Sequence, residues 1–466
     1  MEKKSLWETW TPKMKQSMTG FCEEYKQFMS QCKTERECVD EMIAMAQAAG
    51  YKNLFDCVKT GEKLTAGSKV YANNRNKMLV LVQVGKKDLS EGLNILGAHI
   101  DSPRLDLKPN PLYEDSGFAM LKTHYYGGIK KFQWVTMPLA LHGVVAKKDG
   151  TVVKVAIGEE AGDPVFGISD ILPHLAKDQR SKNINEAFTG EDLNITFGST
   201  PAEAGSSEGE DKDLFKKNVL NILNEKYGIT EEDFQSAEIE VVPAGAARDL
   251  GIDRSMVYAY GHDDRICAYT SVRAQLDLAG EVPEKTYVTL LVDKEEIGSV
   301  GATGMQSKFF ENCMAEILGL TGGYDELKMR RMLSASKMLS SDVSAGFDPN
   351  YANVHEKNNA PYFHYGPVLH KYTGSGGKSG SNDATAEYIA ELRKNFDEND
   401  VRYQMAELGK VDQGGGGTIA FILAQYAMDV IDLGIPLHNM HAPWEVAAKT
   451  DIYEAYRAYR VFLQNL

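Results

Sequence analysis

The chain has 466 residues, of which 43% are hydrophobic and 25% charged, and it carries a formal net charge of −15. That length allows two or more domains with a substantial core, and the acidic balance disfavours nucleic acid, whose phosphates need a basic face. No apolar run reaches the roughly eighteen residues of a membrane-spanning helix. The start, Met1-Glu-Lys-Lys-Ser-Leu-Trp-Glu-Thr-Trp10, lacks the apolar core of a secretory signal. Six scattered cysteines (Cys22, Cys32, Cys38, Cys57, Cys267, Cys313) form no Cys-x-x-Cys pair and suit reduced, buried thiols. A cytoplasmic protein without a membrane or nucleic-acid partner is expected.

In chain order, Trp7–Met29 and Glu35–Ala49 are rich in helix formers. Met78–Val84 and Leu93–Ala98 are apolar, β-branched runs expected to form strands, the second ending at His99. From about residue 104 to 254 the character changes to β-rich stretches: Phe132–Met137, Leu139–Val145 and Val152–Ala156. Tyr125-Tyr-Gly-Gly128 and Lys148-Asp-Gly150 supply turn chemistry between them, and Ala204–Asp213 reads as a polar, mobile loop. Beyond it, Arg265–Ala279 reads as a helix, Thr286–Val292 as a buried strand, Met305–Leu318 as a helix and Ala335–Ser341 as a strand. Helix candidates at Asp383–Lys394, Thr418–Met428 and Asp451–Leu466 alternate with a strand at Val401–Met405. The alternation predicts an α/β fold: a catalytic α/β/α sandwich around a mixed, mostly parallel sheet. Residues 1–103 and 255–466 form that domain, and 104–254 is an inserted β-rich domain.

Five acidic or histidine-bearing segments lie at or beyond apolar stretches: Gly97-Ala-His-Ile-Asp-Ser-Pro103, Gly261-His-Asp-Asp-Arg265, Asp293-Lys-Glu-Glu-Ile-Gly298, Ser341-Asp-Val343 and Asn439-Met-His-Ala-Pro443. Any one alone is a cap or a surface group more often than a ligand. Their convergence is informative, because loops at the carboxyl ends of parallel strands gather at one edge. Two divalent ions need a bridging carboxylate, terminal ligands on each ion and one free base, and this set supplies them. Asp101, two residues after His99, is placed to orient or polarise the imidazole. Asp263 and Asp264 diverge in extended backbone, so one suits the metal centre while Asp264 can also cap the following helix. Glu295 and Glu296 diverge likewise, one ligating and the other free to take a proton.

Gly97-Ala-His-Ile-Asp-Ser-Pro103, Asp263-Asp264, Asp293-Lys-Glu-Glu-Ile-Gly-Ser299, Ser341-Asp342, Asp348-Pro-Asn-Tyr351, Gly366-Pro-Val368, Asp432-Leu-Gly434 and Asn439-Met-His-Ala442 together resemble the aspartyl aminopeptidase family of zinc exopeptidases, in its bacterial branch. The resemblance runs nearly the whole length. It implies two divalent metal ions per subunit, with Asp263 bridging, His99 and Asp342 completing one site, and Glu296 and His441 the other. Zinc is the family's metal, although cobalt and manganese suit the same donors. Glu295 becomes the general base that activates water and later protonates the leaving amine. The resemblance further implies a homo-oligomer, a tetrahedral dodecamer, with dimerisation through the inserted domain. Its Leu172-Pro-His-Leu-Ala176 element carries His174, which in the family reaches a neighbouring subunit's site; as a residue alone it reads as an ordinary surface histidine.

The chain also departs from the family. Where many eukaryotic members have histidines, it has Ser344-Ala-Gly-Phe-Asp348, and where they carry a substrate-contacting lysine it has His370, followed by Lys371. Release of N-terminal Asp or Glu, with His174, His370 and Lys371 in substrate binding, is therefore one reading. A co-catalytic aminopeptidase preferring neutral residues is the alternative. A non-catalytic assembly protein is disfavoured by the full set of Glu295 and five ligands. Gly374-Ser-Gly-Gly-Lys-Ser379 resembles a phosphate loop, but Tyr372 stands where that pattern needs glycine, so a hairpin or cleft loop is expected. Gly414–Gly417 suits a loop of close backbone approach, and Pro436 and Pro443 argue against a helical pair of His438 and His441.

Overall fold

The computed structural model describes residues 4–203 and 212–466. Of the acidic loop expected at Ala204–Asp213, residues 204–211 lie outside the described residues. The chain divides into two compact units, one comprising Met1–Ser102, Ala247–Met440 and Glu445–Leu466, the other Pro103–Ala246 with His441–Trp444. The first unit thus takes in residues 247–254, which the sequence suggested would belong to the insertion. They go there because the strand Arg248–Leu250 pairs antiparallel with Met256–Ala259 and Asp249 bonds Lys26 at 2.6 Å.

The first unit is built on a nine-stranded sheet among the described residues, in the order Lys52–Asn53, Lys69–Asn74, Met78–Gln83, Thr286–Val292, Leu93–His99, Lys337–Ser340, Asp429–Gly434, Val368–His370, Gln404–Met405. Leu93–His99 lies parallel to both of its neighbours, with His99 beside Val292 and Gly97 beside Ser340. These central strands are buried on both faces, which explains their nearly unbroken apolar sequences. Successive residues feed two cores: Leu96, Leu291, Leu339 and Ile431 point to one, Ile95, Leu290, Met338 and Val430 to the other. Helices Pro12–Gln31, Glu35–Ala48, His262–Leu276, Ala386–Glu398 and Lys449–Asn465 cover the first face; Leu54–Thr60, Phe309–Thr321, Glu326–Ser334 and Ala420–Ala424 cover the second. The result is the α/β/α sandwich the alternation predicted.

Local signals explain the helix starts. Thr34 accepts from the Glu37 N–H while Glu37 accepts from the Thr34 N–H, a capping box. Thr11 precedes Pro12 at the first position of the next-earlier helix and caps Met14 N–H. A smaller five-stranded sheet in the same unit joins Arg248–Leu250, Met256–Ala259, Glu445–Ala448, Pro436–His438 and Ser344–Ala345. The strand preceding Asp263 therefore belongs to this sheet and not to the large one.

The second unit carries a six-stranded antiparallel sheet in the order Val152–Ile157, Leu139–Ala146, Ala237–Pro243, Arg104–Asp115, Phe118–Tyr126, Ile195–Gly198. The helix Leu214–Tyr227 packs on it, its first turn bound by Glu114, which accepts from the N–H groups of Phe215 and Lys216 at 2.9 Å.

Three expected elements differ. Phe132–Met137 is no strand: Lys131–Gln133 is a single 3-10 turn that buries Trp134, and Thr136 has a positive φ of 59°, which breaks extension. Thr418–Met428 contracts to the helix Ala420–Ala424, and Val401–Met405 to the two-residue edge strand Gln404–Met405. Gly374–Ser375 pairs antiparallel with Gly415–Gly416, joining the two glycine-rich segments. At Gly415, a Cβ would stand 2.5 Å from Gly374 O, so close pairing explains that glycine.

Gly434 ends a strand where a Cβ would lie 1.5 Å from the Asp342 carbonyl oxygen. Gly434→Ala is expected to destabilise the fold by about 1–3 kcal/mol or more, as overpacking does; urea denaturation with an unchanged midpoint would contradict this close approach.

Candidate metal centre

Parallel register delivers His99 to the carboxyl edge of the sheet, one strand away from the turn Glu295–Ile297 on one side and from Asp342 on the other. Lys294 adopts the left-handed region at φ 69°, turning the chain sharply after Asp293 so that both glutamates leave the strand. Asp263 arrives from the start of the helix His262–Leu276, after a left-handed Gly261 and through a cis peptide to Asp264.

The imidazole of His99 is the hub. Its Nδ1–H donates to the Asp101 carbonyl at 3.0 Å, and Nδ1 lies 3.3 Å from Asp101 Oδ1. A carbonyl can only accept, so this bond keeps a proton on Nδ1, and Nε2 is the ring nitrogen turned toward the carboxylates. Nε2 faces Asp263 Oδ1 at 3.1 Å, Asp342 Oδ1 at 3.8 Å and Glu295 Oε2 at 4.0 Å. Among the described residues, candidate ligand atoms form two groups, His99–Glu295–Asp342 and His99–Asp263–Glu296, each with its atoms within 4.8 Å of one another. The adjacent glutamates thus fall in different groups. The Asp101 carboxylate accepts from the N–H groups of both, Glu295 to Oδ1 and Glu296 to Oδ2, each at 3.2 Å.

Several carboxyl groups crowd a small, largely buried volume, and their pKa values register the cost. Burial pushes Glu295 from its ordinary 4.5 up to about 8, opposed by His99 and reinforced by Asp342, Asp101 and Asp263. Asp264 is driven well above its ordinary value by burial, then by the charges of Asp342 and Asp263, against His99. Its two carboxyl oxygens are fully buried and have no hydrogen-bond partner of normal geometry. Asp342 is raised by burial too. Burial favours a neutral His99, yet the side chains of Asp101, Asp263 and Asp342 outweigh it and raise its pKa well above 6.5. His99 Nε2 and Asp263 Oδ1, 3.1 Å apart, need a proton or a metal ion shared between them. Bonds of roughly 2.0–2.2 Å to one ion put neighbouring ligand atoms about 3–3.5 Å apart, the separation found here. The mixed nitrogen and oxygen donor set therefore fits a divalent metal.

The remaining sequence candidates are in neither group. His441 belongs to the second unit, where Nδ1 lies 2.9 Å from Gly128 O. His174 is exposed in a turn of the same unit. His370 is 4% exposed, with Nε2 2.8 Å from Ser344 Oγ, and burial lowers its pKa to about 4, so it is uncharged at neutral pH. Lys371 beside it is exposed. Sequence reading missed the groups that hold Asp263 in place. Glu445 accepts the Asp263 N–H at 3.0 Å, and Ser102 Oγ donates to the Asp263 carbonyl at 2.5 Å. Ser102 sits inside a segment already singled out, whereas nothing in the local sequence marks Glu445.

An α/β/α sandwich with carboxylates and an imidazole at its carboxyl edge defines the class, a metal-dependent hydrolase. A family profile described as aminopeptidase I zinc metalloprotease (M18) matches residues 28–463. A probable M18 family aminopeptidase 1 of Clostridium acetobutylicum is 60% identical over 464 residues, covering 100% of this chain and 98% of the relative. The crystal structure of an M18 family aminopeptidase from Thermotoga maritima superposes with a TM-score of 0.93 at 47% identity, covering 100% of both chains. The S. cerevisiae mApe1 dodecamer shares the fold at a TM-score of 0.75 and 20% identity, covering 96% of both chains. The chain belongs to the M18 family of zinc metalloproteases. It is a metallo-aminopeptidase, a hydrolase acting at peptide N-termini with a metal cofactor.

Protons bound by Glu295 in the fold are released on unfolding between its ordinary 4.5 and about 8, so the folded state holds more protons there and stability falls as pH rises. Chelator-treated protein is expected to show a thermal midpoint that drops from pH 5 to about 8, and Glu295→Gln should flatten the drop. A midpoint rising over that range would contradict the crowding of buried carboxyls.

Proposed function

We propose that this aminopeptidase works with two divalent ions, zinc by family resemblance, held by His99, Asp263, Glu296, Asp342 and His441. The observation that carries the reading is Nε2 of His99 facing carboxylate oxygens of Asp263, Asp342 and Glu295. His441 enters from the resemblance, as the ligand partnering Glu296, with Asp263 shared between the two sites. When bound, the metal polarises the scissile carbonyl and makes water more acidic.

Glu295 is the general base in this reading. As a carboxylate among the proposed ligands but not one of the five, it can take a proton from water and give it to the departing amine. Asp101 positions the machinery: it fixes the His99 tautomer through its carbonyl and accepts from both glutamate N–H groups through its carboxylate. Removal of residues only from a free N-terminus follows if the substrate's α-amine is held at the metal centre.

Substrate selection is the finer part of the proposal. An N-terminal Asp or Glu needs a cation, and neutral, buried His370 does not supply one at pH 7. That leaves Lys371 as the local positive charge, with exposed His174 contributed by a neighbouring subunit, as the resemblance has it. A homo-oligomer is supported by that resemblance and by the dodecameric relative, with the second unit as its dimerisation domain. Six unbridged, buried cysteines support a reducing compartment, the cytoplasm.

Glu295→Gln is expected to lower kcat by about 100- to 10,000-fold while metal content, measured by elemental analysis, stays at the wild-type level. Turnover near wild type with full metal would remove Glu295 as base. On a panel of aminoacyl chromophores, Lys371→Ala should raise KM for Asp and Glu substrates and leave Leu and Ala substrates unaffected. A wild-type enzyme that prefers neutral residues would move the preference away from acidic substrates and leave the reaction class intact.

A further inference from the structure

The two ligand-bearing turns, Gly97–Pro103 and Gly261–Arg265, are cross-linked reciprocally. Ser102 of the first turn donates through Oγ to the carbonyl of Asp263 in the second, at 2.5 Å. Arg265 of the second donates through Nε to the carbonyl of Ile100 in the first, at 3.3 Å. Both side chains are fully buried. The guanidinium is itself held, donating through Nη2 to the Lys33 carbonyl at 2.9 Å and lying over the Tyr260 ring at 5.2 Å. Each accepting carbonyl is at, or next to, a residue proposed to bind metal: Asp263 itself, and Ile100 beside His99.

Gly261 shows how tightly the crossing is packed. It sits at φ 77°, and a Cβ there would stand 2.3 Å from Arg265 Nη1 and 2.9 Å from Ser102 Oγ, so any larger residue would strike both donors. Glu445 holds the preceding peptide unit by accepting the Asp263 N–H.

We propose that Ser102 and Arg265 are positioning residues: their reciprocal bonds fix the spacing of His99 and Asp263, so the shared metal site is assembled before the ion arrives. The inference rests on the ligand reading given under Proposed function. Burying a guanidinium and a hydroxyl to bind loop carbonyls costs desolvation, and the return is two turns that cannot drift apart. A preorganised pair of ligand atoms loses less freedom on binding the ion, and outer partners of this kind typically change metal affinity by about 10- to 100-fold.

The test uses the full-length protein stripped of metal and titrated with Co²⁺, following heat, stoichiometry and the visible absorption of the bound ion. Ser102→Ala is expected to weaken the tighter-binding Co²⁺ by about 10- to 100-fold and to alter its spectrum. The thermal midpoint of the metal-free protein should hold, and Ser102→Thr, which keeps the hydroxyl, should restore affinity. Arg265→Lys, which keeps the charge but cannot bridge the same two carbonyls, should move affinity the same way. His99→Ala is the control for the ligand reading and should lose one ion. If His99→Ala loses an ion while Ser102→Ala binds and absorbs like wild type, the positioning proposal is overturned and the ligand reading stands. If His99→Ala itself binds both ions normally, the ligand reading falls. A Ser102→Ala protein that no longer folds would also overturn the proposal, because the bond would then govern the fold and not the ligand spacing.

Discussion

Parallel pairing of Leu93–His99 with strands on both sides is the constraint on which the rest of the molecule depends. Parallel strands end at the same edge, so the segments that end at His99, Val292 and Ser340 emit their loops into one region. Burial of these strands on both faces fixes their register, because a slip by one residue would exchange the two cores, sending Leu339 and Ile431 where Met338 and Val430 now pack. The position of His99 relative to the Glu295 turn and to Asp342 is thus set by apolar packing far from any charge. The large sheet does not supply Asp263. That residue comes from the smaller sheet and helix start, and so needs its own attachments.

The edge so formed is electrostatically unfavourable by itself. Carboxyl groups are buried around one imidazole, and burial raises the pKa values of Glu295, Asp264 and Asp342. Such a cluster would relax in a protein with no use for it. Here it is held by backbone and side-chain bonds: Asp101 to the two glutamate N–H groups, Glu445 to the Asp263 N–H, and Ser102 to the Asp263 carbonyl. Fold stability supplies the cost of confining like charges, and a bound cation returns it. This balance links the metal dependence of the aminopeptidase to the architecture beneath it.

Much of this was legible in the sequence, for reasons that differ by element. Thr286–Val292 and Leu93–His99 announced themselves because doubly buried strands must be continuously apolar, whereas the helix expected over Trp7–Met29 from its composition is split into Leu6–Thr9 and Pro12–Gln31. Phe132–Met137 misled because aromatic and β-branched residues favour strands, yet Trp134 is buried from a 3-10 turn. His370 misled in another way. Its place in the sequence suggested a substrate contact, while its burial and its hydrogen bond to Ser344 make it a neutral, internal group.

The sequence by itself determined the kinds of donor available, the order in which they occur and the strands that carry them. Residue chemistry and apolar patterning are local properties, written where they act, and the spacing of His99, Asp263, Glu295, Glu296 and Asp342 reads directly as a metallohydrolase repertoire. Tertiary structure alone decided which oxygen faces which nitrogen, which glutamate joins which group, and that Glu445, Ser102 and Arg265 hold the turns. Those relations depend on hydrogen-bond geometry between segments as much as 232 residues apart. Such geometry arises only after the sheets have packed, when a few tenths of an ångström separate a ligand from a bystander.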